Sequence, residues 1–207
     1  MTMAIAHERS VEGMSLMNTD SDQELLARLR HSDEAAFEAV FIRYYDQVYR
    51  VLYRLTGTRE GAEDLAQETF LALYDHPPRL EPGTSLAAWL CRVALNRGYN
   101  TLRGERRAAQ RIERTAAPPP HADPQIEALR AEERTNVRAT LAQLPERQAK
   151  LLLLRYAGLS YAEIAAVLDV APGSIGTLLV RAERAFIAAY QQMEPTEHKD
   201  RLDTRIS

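Results

Sequence analysis

Between Phe37 and Leu55 the apolar side chains fall at Phe37, Val40, Phe41, Tyr44, Val48, Val51, Leu52 and Leu55, in steps of three, one, three, four, three, one and three. Only an α-helix gathers that spacing on one face, because a strand would bury alternate residues. Helical signals bracket this segment. Ser21 with Glu24 forms a capping box ahead of Leu25, Leu26 and Leu29, and Ser32 or Asp33 can cap the long helix itself. Gly57 suits its end, and Thr58 can open a third helix that runs to about Tyr74, before His76-Pro77-Pro78. Thr84 or Ser85 then opens a fourth, with Leu86, Trp89, Leu90, Val93 and Ala94 on its buried side, reaching roughly Arg107. No segment alternates as a strand does, so the expected fold class is all-α.

The proline run at 118–120 divides the pattern, since consecutive prolines favour an extended, semi-rigid connector. We therefore expect two small helical domains, 21–107 and 126–190, joined by a linker over 108–125. A disordered extension over 1–20 and a flexible tail over 191–207 flank them. In the second unit Leu129, Val137, Leu141 and Leu144 form an apolar stripe, and Pro145 occupies the first position of a helix over 145–156. Ser160 with Glu163 makes a second capping box, opening a short helix to about Leu168. A turn at 169–173 precedes a last helix from Ser174 to about Tyr190. Met3, Met14 and Met17 offer starts alternative to Met1.

The 29 acidic and 26 basic side chains nearly cancel, but their distribution does not. Residues 22–75 carry a net −5 and residues 76–114 a net +5, which suggests separate surfaces for a basic and an acidic partner. A charge run on a helix is by default a solvated face. One cysteine, Cys91, excludes an internal disulfide framework and fits a reducing compartment. No apolar run approaches the ~20 residues of a membrane span. The start MTMAIAHERS lacks the basic-then-apolar order of a signal peptide, so a cytoplasmic protein is expected.

Catalytic signatures are missing: no GxGxxG, no phosphate loop, no HExxH and no EF-hand loop. Gly158-Leu159-Ser160-Tyr161-Ala162 resembles a nucleophile elbow only in spelling, because it falls between helices rather than after a strand. The five histidines are scattered along the chain and offer no zinc-ligand spacing with the single cysteine. Neither an enzyme nor a metal or cofactor site is expected.

Three constellations remain. A capped short helix, a turn with Pro172 and Gly173, and a second amphipathic helix form a helix-turn-helix candidate over 160–179, although an ordinary helical hairpin carries the same pattern. Arg92, Asn96, Tyr99, Arg103 and Arg107 recur at helical steps on the fourth helix, flanked by Asn100 and Arg106. Guanidinium groups for phosphates thereby sit beside amides and an aromatic able to engage exposed bases. Glu60, Asp64, Gln67, Glu68 and Leu71 share a face of the third helix with Glu63 beside them, a surface suited to a basic helical partner.

These residues carry a resemblance. The stretch from Gly61 to Tyr74, GAEDLAQETFLALY, resembles the core-polymerase-binding segment of extracytoplasmic-function (ECF) RNA polymerase sigma factors, the two-domain members of the sigma-70 family. Ala88 to Asn96 is similar to the start of their promoter-melting helix. Leu144 to Gln148, followed by Leu159 to Ala165, is similar to their fourth region. The resemblance implies a non-catalytic specificity subunit that binds bacterial core RNA polymerase and promoter DNA, both double-stranded and melted, with no cofactor. An anti-sigma protein is a further partner it suggests. It places core-polymerase contacts on Glu63, Asp64, Gln67, Glu68, Phe70 and Leu71. Minus-ten contacts fall to the loop 77–85 and to Trp89, Arg92, Asn96, Tyr99, Asn100, Arg103, Arg106 and Arg107. Upstream contacts fall to Ser160, Tyr161, Ser174, Gly176, Thr177, Leu178, Arg181 and Arg184.

The chain departs from the family early in the recognition helix, where Gly176, Thr177 and Leu178 replace a basic, small polar and basic set, and Glu183 takes a frequently basic position. A divergent upstream element, met through Ser174, Thr177 and Arg181 with close backbone approach at Gly176, is the expectation. Leu178 and Leu179 also motivate an alternative, a sigma-like interaction protein whose second domain binds protein. A conventional helix-turn-helix repressor would leave the acidic helix without a purpose.

Overall fold

The computed structural model describes residues 20–80, 84–112 and 135–193, with the side chains of 109–112 and 193 left aside. The proposed linker beyond 112, the extension over 1–19, the tail beyond 193 and residues 81–83 of the loop expected at the minus-ten element lie outside the described residues, as do Ile126 and Leu129. All regular structure among the described residues is helical.

Helix α1 (Asp22–Leu29) begins at the expected capping box, in which the Ser21 amide donates to Glu24 Oε2 at 2.7 Å and the Glu24 amide donates back to Ser21 Oγ. Asp33, not Ser32, caps α2 (Glu34–Thr56), its carboxylate accepting from the Ala35 and Ala36 amides. Ser32 stands at φ 58°, in the left-handed region outside the helix. Gly57 ends α2 at φ 77°, a conformation that an L side chain strains to reach. Thr58 caps α3 (Arg59–Asp75), and Ser85 caps α4 (Leu86–Ile112) by accepting from the Ala88 amide at 3.1 Å.

The second half comprises α5 (135–143), α6 (Glu146–Tyr156), α7 (Tyr161–Leu168), one 3-10 turn (Pro172–Ser174) and α8 (Ile175–Met193). Three boundaries differ from expectation. α4 continues past Arg107 to Ile112, because Ala108, Ala109, Gln110 and Arg111 are all strong helix formers and nothing there breaks the helix. Pro145 is the residue before α6 rather than its first, since ψ of 134° leaves it extended. α8 starts at Ile175, after the 3-10 turn, and runs to Met193.

Two cores hold these helices. Leu25, Leu29, Val40, Leu52, Phe70 and Leu90 belong to the first, built wholly from α1–α4 and sealed outside by the aromatic series Phe37, Phe41, Tyr45, Tyr49 and Tyr53 along α2. The second core is not confined to the second half. Val51 and Leu55 of α2 and Ala88, Cys91 and Leu95 of α4 join Leu141, Leu153, Leu154, Ile164, Ile175 and Leu179 in one apolar cluster. The two halves thus pack directly on one another along α2 and α4. No single described helix is long and apolar enough to cross a membrane; α7 and α8 together have the composition but meet at a bend of 108°.

Candidate nucleic-acid interface

On α3, Asp64, Gln67, Glu68 and Leu71 emerge on one exposed face, with Leu71 49% accessible despite its size. Glu63 is half-buried and takes Arg59 Nε at 2.7 Å, while Glu68 pairs with Arg97 of α4 at 2.9 Å. Phe70 does not belong to this face. It is 1% exposed, with ring centroids 4.9 Å from Phe41 and 6.2 Å from Tyr45, so its expected role as a docking contact is corrected to that of a core residue.

Helix α4 buries Leu86, Leu90 and Ala94 and turns Arg92, Asn96, Asn100, Arg103, Arg106 and Arg107 outward. Trp89 is half-buried against the first core. Tyr99 is half-buried too, and burial, followed by the nearby Glu146 carboxylate, pushes its hydroxyl above the ordinary phenol range. Asn100 Oδ1 accepts from Arg103 at 2.7 Å, and Arg107 Nε donates to the Arg103 carbonyl at 3.1 Å, which fixes the arginines at the far end of the row.

The bend between α7 and α8 lies in the range of a helix-turn-helix. Its turn rests on Asp169, at φ 54°, and on the Ser174 hydroxyl, which donates to the Ala171 carbonyl at 2.7 Å. Ser160 is spent on capping α7. Tyr161, Thr177, Arg181 and Arg184 are exposed, and a Cβ on Gly176 would meet nothing nearer than the Tyr161 ring at 3.9 Å. Leu178, expected on the DNA side, is half-buried against the second core, which explains an apolar residue at that place.

One carboxylate joins the two halves. Glu163 Oε2 closes the capping box with the Ser160 amide at 2.8 Å, while its Oε1 accepts from the Ser85 hydroxyl at 2.5 Å. A single anion therefore serves the N-termini of both α4 and α7, where helix dipoles favour negative charge. Desolvation opposes that charge, yet the hydrogen bonds from Ser85 and Ser160 hold Glu163 below the usual carboxylate range. Burial, reinforced by Glu163, pushes the Cys91 thiol up to about 12, leaving it a protonated core group. Sequence periodicity gives no sign of this junction, because its partners lie 78 positions apart.

An acidic face on α3, an arginine row on α4 and a helix-turn-helix bend between α7 and α8 stand together among the described helices. The comparisons give the family. The model for Sigma-70 region 2 matches residues 40–108, and that for Sigma-70, region 4 matches residues 134–186. The chain is 32% identical over 168 residues to RNA polymerase sigma factor CarQ of Myxococcus xanthus, covering 78% of this chain and 91% of that protein. It is 29% identical over 189 residues to the RNA polymerase sigma-H factor of Pseudomonas aeruginosa, covering 86% and 98%. In fold it is similar to CnrH in complex with the cytosolic domain of CnrY, with TM-score 0.62, 21% identity and coverage of 84% and 100%. The sigma factor RpoE in complex with the anti-sigma factor NepR, from Bartonella quintana, gives TM-score 0.56, 22% identity and coverage of 76% and 98%. The chain belongs to the sigma-70 family, among the ECF RNA polymerase sigma factors, and it acts in transcription initiation with core polymerase and promoter DNA. The sigma-like interaction protein is the less favoured reading.

Proposed function

We propose that the work of this sigma factor divides among three surfaces. The exposed face of α3, Asp64, Gln67, Glu68 and Leu71 with Glu63 at its edge, docks on a basic helical element of core polymerase. The polar side of α4 holds the unpaired strand of the minus-ten element. Arg103, Arg106 and Arg107 supply phosphate contacts, Asn96 and Asn100 supply base-edge contacts, and Trp89 and Arg92 line one cleft with Arg79, Leu80 and Thr84. Binding energy available only to a melted strand favours the open state, so α4 promotes melting without any catalytic step of its own. The helix-turn-helix meets the upstream element through Tyr161, Ser174, Thr177, Arg181 and Arg184. The observation that carries the reading is the placement of two oppositely charged faces on adjacent helices α3 and α4, one for protein and one for nucleic acid.

A negative regulator of the anti-sigma type is supported by one comparison, the complex of RpoE with NepR. Action in the cytoplasm follows from work on core polymerase.

Permanganate footprinting of holoenzyme reconstituted with bacterial core polymerase tests this division. Reactive thymines just upstream of the start site are expected with the wild-type chain and should fade with Arg103→Ala. Core binding with no opened DNA on any template would instead support the interaction-protein reading.

The recognition helix gives a second expected result. Gly176 has room for a side chain, so Gly176→Lys should tighten binding to upstream duplex DNA and steepen its salt dependence by about one phosphate contact, a slope change of ~0.9. Leu178→Arg is the poorer change, because Leu178 packs against the core. Equal salt slopes for wild type and Gly176→Lys would show that this end of α8 does not face phosphate.

A further inference from the structure

An apolar cleft on the second half serves none of the three proposed surfaces. Its volume is about 390 Å³, within the ~300–1,000 Å³ of small-molecule sites, and it opens where α2 meets α5, α6 and α8. Val137 and Leu141 of α5, Leu152 of α6, and Phe186 and Ile187 of α8 supply its apolar lining. Tyr156 and Ile187 line it and remain exposed, so the cleft is open to solutes. Two guanidinium groups, those of Arg54 and Arg155, share this lining with a single carboxylate, Glu183. An excess of one positive charge beside apolar walls is complementary to an apolar body that carries one anion. None of the residues named for docking or DNA contact lines the cleft.

We infer that this cleft is a binding site for a medium-chain fatty acid, with the alkyl chain against Leu141, Leu152 and Ile187 and the carboxylate on Arg54. The Arg54 guanidinium lies over the Tyr156 ring, 3.2 Å from its centre. A guanidinium stacked by its face keeps its N–H edge for a carboxylate, which it can grip with two parallel hydrogen bonds. Both aromatic rings of the cleft already have a stacking partner. Arg54 covers one face of Tyr156, and Phe186 stacks on Tyr190 with centroids 5.9 Å apart and an interplanar angle of 22°. A flat aromatic acid therefore finds no pair of open ring faces to slide between. The leucine and isoleucine side chains that remain favour a flexible aliphatic chain, whose transfer from water into the cleft drives binding.

Isothermal titration of the full chain with decanoate, at concentrations below micelle formation, tests the site. One equivalent should bind. Decanol, the same chain without the carboxylate, should bind about tenfold more weakly, the scale set by losing one charge-assisted hydrogen bond. Ile187→Glu places a carboxylate against the alkyl chain and should weaken decanoate by about tenfold or more. Arg54→Gln should weaken decanoate about tenfold and leave decanol unchanged, a contrast that a merely structural role for Arg54 would not produce. Ile187 is exposed, so the fold should survive its replacement, with circular dichroism as the check. Absence of decanoate binding, equal affinity for acid and alcohol, or unchanged affinity in a folded Ile187→Glu chain overturns the inference. So do two further outcomes. A dimer of the free chain that Ile187→Glu dissociates would give the cleft to a second copy, and decanoate binding only after Leu202→Asp would give it to the chain's own residues 194–207.

Discussion

Asp64→Arg combined with Glu68→Arg is expected to weaken binding to bacterial core RNA polymerase by about a thousandfold and to abolish promoter-directed transcription. Both side chains are exposed on α3, one turn apart, beside the accessible Leu71. Reversal does more than remove two attractive contacts, since it sets like charges against a basic partner surface. Like-charge juxtaposition at an interface costs several kcal/mol, and ~4 kcal/mol corresponds to that thousandfold loss. The fold should barely respond. Asp64 is solvated on the open side of α3, and the Glu68–Arg97 pair is an exposed ion pair of ~0–1 kcal/mol. Gel filtration of the mixed proteins checks the binding, and circular dichroism checks the fold. Retained co-elution with core would remove α3 as the docking helix.

Phe70→Ala is expected to act through stability instead. The ring is buried against Phe41 and Tyr45 of α2, and removing a buried phenylalanine costs about 3–5 kcal/mol through lost transfer energy and the cavity left behind. A domain of this size has only ~5–15 kcal/mol in total. The expected fall in melting temperature is more than about 10 °C, at ~4–8 °C per kcal/mol for a small domain. Below the new midpoint, core binding should return close to wild type, which distinguishes a packing residue from a docking one. A folded Phe70→Ala protein that melts normally but fails to bind core would restore Phe70 to the interface.

That residue also shows how much the sequence discloses. Asp64, Gln67, Glu68 and Leu71 step by three, one and three, so they share a face, whereas Phe70 lies about 120° around the helix from Asp64, toward the side of Glu63. Spacing sets Phe70 on the flank of Glu63, so neither helical geometry nor the contiguous family motif separates it from the acidic set; its burial does. Local rules served well where the physics is local. The two capping boxes, Gly57 at positive φ and Ser85 before α4 are each specified within four residues. Helix ends without such punctuation were less legible, as with α4, where strong helix formers carry the helix on to Ile112.

The junction between the halves was not legible at all. Glu163 reads locally as the capping partner of Ser160, and its second oxygen gives no hint of Ser85. Val51 reads as core of the first domain, and Cys91 and Leu95 fall outside the buried side expected of α4, yet all three pack in the cluster that holds the second half. Tertiary packing of amphipathic helices chooses among partners of equal apolarity, and spacing along one helix does not say which partner wins. The same holds for Leu178, whose apolar character reads as a missing DNA contact until its burial is seen.

On the proposed division of surfaces, this chain directs core polymerase to promoters through two separate DNA-reading faces. Run-off transcription with bacterial core polymerase, on a library of random promoters sequenced at their start sites, tests it most directly. The chain should create start sites absent with core alone, sharing a downstream element held by α4 and an upstream element met by the helix-turn-helix. Core binding without any new start site would contradict the claim.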